Sequence, residues 1–178
     1  MSRLPEIILK NRPTLQKELG LTSPMAVPRL THVVVTTGVG KVNKDKKRLE
    51  LITNRLAKIT GQKPAVRGAK KSIATFKSRA GDVVGYAVTL RGARMFGFVE
   101  KLLNASIPRI RDFRGFDPKQ VDEMGNLTIG LREHTIFPET ADEDLKDVFG
   151  LAITFVTSAK NRTEALAFFR SIHFPFKK

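Results

Sequence analysis

The chain has 178 residues, and its 32 Lys plus Arg against 17 Asp plus Glu give a net charge of +15 and a pI near 10.5. Hydrophobic residues, at 41%, supply enough apolar material for a core, which excludes wholesale disorder and a fibrous chain. Cysteine is absent, which excludes disulfides, cysteine-liganded zinc, iron–sulfur clusters and a cysteine nucleophile.

Residues 3–19 have a helical pattern that Pro13 should break or restart, with Gly20 as a stop. Leu30–Thr37 is β-branched and bounded by Pro28 and Gly38, which predicts a strand. A helix is expected from an Asn43 cap to Thr60, since Leu49, Ile52, Leu56 and Ile59 form one stripe, and Gly61 should end it. Residues 62–81 read as a short strand at Ala65–Arg67 followed by a long exposed loop. Val83–Leu90 is a predicted strand. Arg94 to Ala105 is a predicted helix burying Phe96, Val99, Leu102 and Leu103. Residues 107–126, with two prolines and two glycines, should be irregular. Leu127–Arg132 is a predicted strand. Thr140 and Glu143 form a capping box before a short helix stopping at Gly150. Leu151–Ser158 is a last strand, and Asn161 starts a last helix to Ile172.

Strands and helices mix without strict alternation. The expected fold is therefore α+β, with a largely antiparallel sheet, helices packed on one face and the other face exposed. No linker separates two parts, so residues 1–178 are expected to form a single domain. No apolar run approaches the ~20 residues that span a bilayer. The apolar part of residues 1–10 is too short for a secretory signal, so a soluble cytoplasmic protein is expected.

Charge is unevenly placed. Residues 1–80 hold 18 basic and 4 acidic side chains, residues 81–114 hold 6 and 3, and residues 115–178 hold 8 and 10. Between Glu50 and Asp82 there is no carboxylate, while Arg55, Lys58, Lys63, Arg67, Lys70, Lys71, Lys77 and Arg79 all fall there. Solvated surfaces usually mix both signs because unpaired like charges repel. The run therefore points to a phosphate-binding face whose affinity falls steeply with salt.

Enzymatic readings fail on spacing. Gly38-Val39-Gly40-Lys41 sits between a strand and a helix, but a phosphate loop needs glycine at Val35 and Ser or Thr at Val42. A dinucleotide loop needs glycine at Asn43. A tight turn with glycine at positive φ is the plainer expectation. His32, His134 and His173 have no paired-ligand spacing, and no metal or other cofactor is implied. The carboxylates Glu139, Asp142, Glu143, Asp144 and Asp147 suit a helix start better than acid–base work.

On the Val83–Leu90 strand, Ala87, Thr89 and Arg91 share one face, and Val88 and Leu90 the other. Arginine at such a place takes a phosphate or a guanine edge bidentately. With one Tyr and no Trp, base stacking on a sheet is not the expected mode. Phe76 lies in the loop Lys70–Arg79, which either reaches into a second RNA or folds Ile73 and Phe76 back on the core. Two other classes compete: a membrane-surface or general polyanion binder, and an RNA-modifying enzyme. The first lacks a basic helix with a bulky apolar face, and the second lacks a cofactor loop or catalytic constellation.

The runs Val27-Pro28-Arg29, Gly38-Val39-Gly40, Ile59-Thr60-Gly61-Gln62-Lys63-Pro64 and Ala69-Lys70-Lys71-Ser72-Ile73-Ala74 resemble bacterial large-subunit ribosomal protein five, the 5S-rRNA-binding family. So do Val88-Thr89-Leu90-Arg91-Gly92, Pro108-Arg109-Ile110-Arg111-Asp112-Phe113-Arg114-Gly115, Ile136-Phe137-Pro138-Glu139 and Phe174-Pro175-Phe176, in order along the whole chain. The resemblance implies a non-enzymatic ribosomal protein that anchors 5S rRNA in the central protuberance. The implied partners are 5S rRNA, 23S rRNA and neighbouring large-subunit proteins, the P-site tRNA, and a small-subunit head protein across an intersubunit bridge, with no membrane. It implies 5S contacts at Gln62, Thr89 and Arg91, with Lys63 and Arg67 of the basic run beside them. Thr36 stands where the family usually has Asn, keeping a hydroxyl but losing the amide's second group. A tRNA contact is implied for Lys70, Lys71, Ser72, Thr75, Phe76, Lys77 and Arg79. Gly97 replaces a common Glu, which should matter to helix stability rather than RNA. The Glu139–Asp147 stretch is an expected surface for the small-subunit protein.

Overall fold

The computed structural model describes residues 4–42, 45–75, 78–141 and 147–177. Among these, α1 (Leu4–Glu18), β1 (Leu30–Gly38), α2 (Lys46–Thr60), β2 (Ala65–Gly68) and β3 (Val83–Leu90) come first. Then follow α3 (Gly92–Lys101), β4 (Leu127–Leu131), β5 (Leu151–Thr157) and α4 (Arg162–Ser171). The strands form one antiparallel sheet in the order β2-β3-β1-β5-β4. The fold is the α+β class that the sequence implies.

Alternation along the strands explains why one face is apolar. On β1, Val33, Val35 and Thr37 are buried while His32, Val34 and Thr36 are half-exposed. On β5 the buried set is Leu151, Ile153, Phe155 and Thr157, and on β4 it is Leu127, Ile129 and Leu131. Period-2 alternation turns the other residues to the opposite side, where His32, Val34 and Thr36 of β1 and Ala152, Thr154 and Val156 of β5 are half-exposed.

The chain divides into two compact units, and the divisions pass through β1, β3, β4 and β5. The first comprises residues 1–33, 90–129 and 154–178. Here α1 packs against α3 and α4. Contrary to the sequence expectation, α1 runs unbroken through Pro13. Proline removes the hydrogen bond to the carbonyl four residues back, which is Leu9. Pro13 is exposed and Leu9 is 64% exposed, so the freed carbonyl faces water rather than core. Beneath the helices Phe155 meets Phe169 and Phe174 edge-on, with centroids 6.1 and 5.5 Å apart. Phe168, fully buried, stands 5.5 Å from Phe169. Burying each such ring contributes about 1.5–3 kcal/mol.

Helix α3 begins two residues before the expected Arg94, and from Leu102 to Ser106 the chain winds as a π-helix. Its buried face is Met95, Phe98, Val99 and Leu102; Phe96 and Leu103 are only half-buried, so the expected stripe was turned by about one residue.

The second unit comprises residues 34–89 and 130–153. Helix α2 starts at Lys46, capped by Asp45, whose carboxylate accepts the Arg48 N–H at 3.2 Å. Asn43, the expected cap, lies outside the described residues. Gly61 closes α2 in the left-handed conformation (φ 67°), its N–H donating to the Ala57 carbonyl at 2.8 Å. Neither Gly38 nor Gly40 adopts a positive φ, which corrects the expected glycine turn. The segment instead stays attached to the sheet, the Val39 N–H donating to the Val84 carbonyl at 2.9 Å, and leaves through a 3₁₀ turn at Gly40–Val42. Glu143 of the expected capping box lies outside the described residues. Thr140 is buried, and its hydroxyl donates to the His134 carbonyl at 2.9 Å. His134 is fully buried and stacks on Phe149 at 4.2 Å, its Nδ1 accepting the Phe149 N–H at 3.4 Å.

Candidate nucleic-acid interface

The end of α2 fixes the first candidate residues. The Thr60 hydroxyl donates to the Leu56 carbonyl at 2.7 Å and accepts the Gln62 N–H at 3.4 Å. Pro64 is buried just beyond. Between these anchors Gln62 is half-buried and Lys63 exposed.

Strand β2 follows at the sheet edge, with all four residues exposed. It pairs antiparallel with β3, placing Ala65 opposite Ala87, Val66 opposite Tyr86 and Arg67 opposite Gly85, with a register shift between Arg67 and Gly68. Gly85 is required: a Cβ there would stand 2.8 Å from the Thr37 carbonyl oxygen. Arg67 therefore faces a cross-strand partner with no side chain.

The segment expected as a long loop is largely an extension of this hairpin. Ala69 N–H donates to the Asp82 carbonyl at 2.8 Å and Gly81 N–H to the Ala69 carbonyl at 2.9 Å. Further out, Ile73 and Ser78 exchange backbone hydrogen bonds of 3.0 and 3.2 Å. Side chains lock the stem: the Ser72 hydroxyl accepts the Ala80 N–H at 3.0 Å, and the Asp82 carboxylate accepts the Arg79 N–H at 2.8 Å. Lys70, Lys71, Ser72, Thr75 and Arg79 are all exposed, and Ile73 is 47% exposed, so Ile73 does not fold back on the core. Phe76 and Lys77 lie outside the described residues.

On β3, Thr89 is half-exposed but Ala87 is only 5% exposed, so the polar face is narrower than the alternation suggested. The backbone stays extended through Arg91 (φ −136°, ψ 161°), which is exposed and precedes α3. Thr36 is half-exposed, and its hydroxyl donates to the Ala152 carbonyl at 3.4 Å. A hydroxyl so engaged keeps its acceptor lone pairs for an outside donor.

Arg55 does not belong to the basic surface. It is 5% exposed and donates through Nη1 to the Asp147 carbonyl at 2.9 Å. Arg48 stands 3.7 Å from the Asp147 carboxylate. Sequence reading counted Arg55 with the phosphate binders because nothing local marks a bond to a residue so distant in the chain. No cluster of three or more His, Cys, Asp or Glu able to hold a metal ion exists among the described residues. No helix there is long and apolar enough to cross a membrane.

These features define a basic α+β protein of the ribosomal class: residues 23–79 match the model of ribosomal protein L5, and residues 83–176 that of the ribosomal L5P family C-terminus. The chain is 50% identical over 164 residues to large ribosomal subunit protein uL5 of Colwellia psychrerythraea, covering 92% of this chain and 91% of that one. It is 48% identical over 166 residues to uL5 of Parasynechococcus marenigrum, covering 93% of each. To uL5 of Ureaplasma urealyticum it is 47% identical over 164 residues, covering 92% of this chain and 89% of that one. The chain belongs to the uL5 family, non-enzymatic structural constituents of the large ribosomal subunit.

Proposed function

We propose that this chain acts as one ribosomal domain that binds 5S rRNA and anchors it in the central protuberance of the large subunit. The observation that carries the reading is the acid-free run from residue 51 to 81, most of which lies on the exposed edge strand β2 and its hairpin. Lys63 and Arg67 supply phosphate contacts, while Gln62, Thr36, Thr89 and Arg91 supply the few polar groups that fix register. The mechanism is electrostatic docking on folded RNA, with no chemistry on it. Membership in the uL5 family supports this assignment and a ribosome-bound, cytoplasmic location.

The hydrogen-bonded hairpin stem supports a second contact. Lys70, Lys71, Ser72, Thr75 and Arg79 sit on this braced arm, and together with Phe76 and Lys77 they are the residues assigned here to contact with the P-site tRNA. Contacts with 23S rRNA and neighbouring large-subunit proteins, and a bridge from the Glu139–Asp147 stretch to a small-subunit head protein, complete the proposal. The test is a titration of the full chain against 5S rRNA and an unrelated structured RNA of equal length across a salt series. Preference for 5S rRNA that persists as salt rises supports shape recognition. Equal affinities that collapse together leave only the +15 charge as the binder and sink the assignment.

A further inference from the structure

The segment Pro108–Gly115 carries Arg109, Arg111 and Arg114, no lysine, and a single acid, Asp112. All three arginines are exposed, and none of them is in an ion pair among the described residues. The backbone under them is firmly seated. Ile110 N–H donates to the Ile107 carbonyl at 3.0 Å. Phe113 stands edge-on to Phe116 with centroids 5.0 Å apart. Phe116 N–H donates to the Pro175 carbonyl at 2.9 Å, and its own carbonyl accepts the Lys177 N–H at 2.8 Å. Gly115 (φ 94°) passes so close to the C-terminal segment that a Cβ would lie 2.6 Å from the Lys177 nitrogen. Asp112 lies at φ 54°, in the left-handed region that Asp enters more readily than most non-glycine residues.

Arginine alone, rather than a mixture with lysine, presents planar forks that match phosphate oxygens in pairs. Seating the backbone in advance lowers the ordering cost of binding. Asp112, between Arg111 and Phe113, leaves the segment with an excess of two positive charges. We propose that Arg109, Arg111 and Arg114 form a second phosphate-binding site, taking the backbone of an A-form RNA segment independently of the β2–β3 hairpin surface.

The probe is a fluorescein-labelled RNA duplex of about 16 base pairs, unrelated in sequence to any rRNA. It is titrated by anisotropy from about 50 to about 200 mM KCl. The proteins are the full chain, a hairpin variant (Lys63, Arg67, Lys70 and Lys71→Gln), a loop variant (R109Q/R111Q/R114Q) and their combination. The loop variant should lose about tenfold in affinity and flatten the log–log salt slope by about 2–3, in both backgrounds. The R109K/R111K/R114K variant should restore the slope yet stay weaker than wild type, because the forks are gone. An unchanged slope in the loop variant overturns the site. So does displacement of the duplex by poly-glutamate at equal charge as readily as by unlabelled duplex, which would assign the arginines to an acidic protein. If the glutamine variant melts early, the lysine variant decides: a slope as flat as the glutamine variant's overturns the proposal. Because the probe is not 5S rRNA, absence of 5S preference would remove the reading above and leave this one standing.

Discussion

Arg55 Nη1 and the Asp147 carbonyl oxygen lie 2.9 Å apart, joining α2 to the segment before β5 by a side-chain-to-backbone bond that spans 92 positions of sequence. The guanidinium is almost wholly buried, so its charge works inside the protein rather than toward a polyanion. Arg55→Ala strands the carbonyl and removes a charged hydrogen bond, at a cost of about 1.5–3 kcal/mol. Urea unfolding should show this loss, while RNA affinity of the folded variant stays near wild type. A drop in affinity with unchanged stability would return Arg55 to the surface.

Gly97 sits inside α3 with open space where a Cβ would be, and its φ is not positive. Gly97→Ala should therefore stabilise the protein by about 1 kcal/mol. For a chain of this size that raises Tm by roughly 2–4 °C. Calorimetry reads it directly, and a fall in Tm would mean the helix needs glycine for a reason the fold does not display.

Gly85 is the opposite case. Its missing Cβ makes room for the Thr37 carbonyl, 2.8 Å from where the carbon would lie. Backbone cannot step aside as a side chain does, so Gly85→Ala should cost on the order of 1–3 kcal/mol. The same strain should loosen β2 beyond it, seen as faster amide exchange at Val66 and Arg67. Wild-type stability in this variant would refute the close approach.

Two side chains brace the hairpin arm, Ser72 on Ala80 and Asp82 on Arg79. The double substitution Ser72→Ala with Asp82→Ala removes both braces without touching a lysine or arginine. Amide exchange between Ser72 and Ala80 should speed by at least about tenfold, since each bond contributes about 1 kcal/mol. Binding of tRNA should weaken more than binding of 5S rRNA. Equal weakening would show that the arm and the sheet edge act as one site.

Long, strongly periodic segments were readable from sequence alone. The stripe Ile52, Leu56 and Ile59 buries as a helix face should, and Val83–Leu90 begins and ends where its β-branched run does. What escaped was set by contacts distant in sequence. Pro13 is tolerated because the freed carbonyl belongs to an exposed residue, a fact about burial rather than about proline. The stem of residues 69–82 lacks the short turn dipeptides that announce a hairpin, and its pairing of Ile73 with Ser78 emerges only with the register in place. Gly38 and Gly40 looked like turn glycines and are not. In the candidate interface, Lys63, Arg67 and Arg91 were legible as exposed charges, whereas the burial of Ala87 was not, because alternation fixes direction and not depth.

Strand β2 ends the sheet with all four residues exposed, Val66 at 58% among them, and among the described residues one row of its backbone groups has no partner strand. Such a border is a template on which another strand can pair. At low ionic strength the +15 charge keeps copies apart. Salt that strips nucleic acid from the protein screens that repulsion as well, over about 10 Å at 0.1 M and about 3 Å at 1 M. The free chain thus meets its own kind under the same conditions that part it from RNA, and its solubility off the particle is governed by how long that border stays bare.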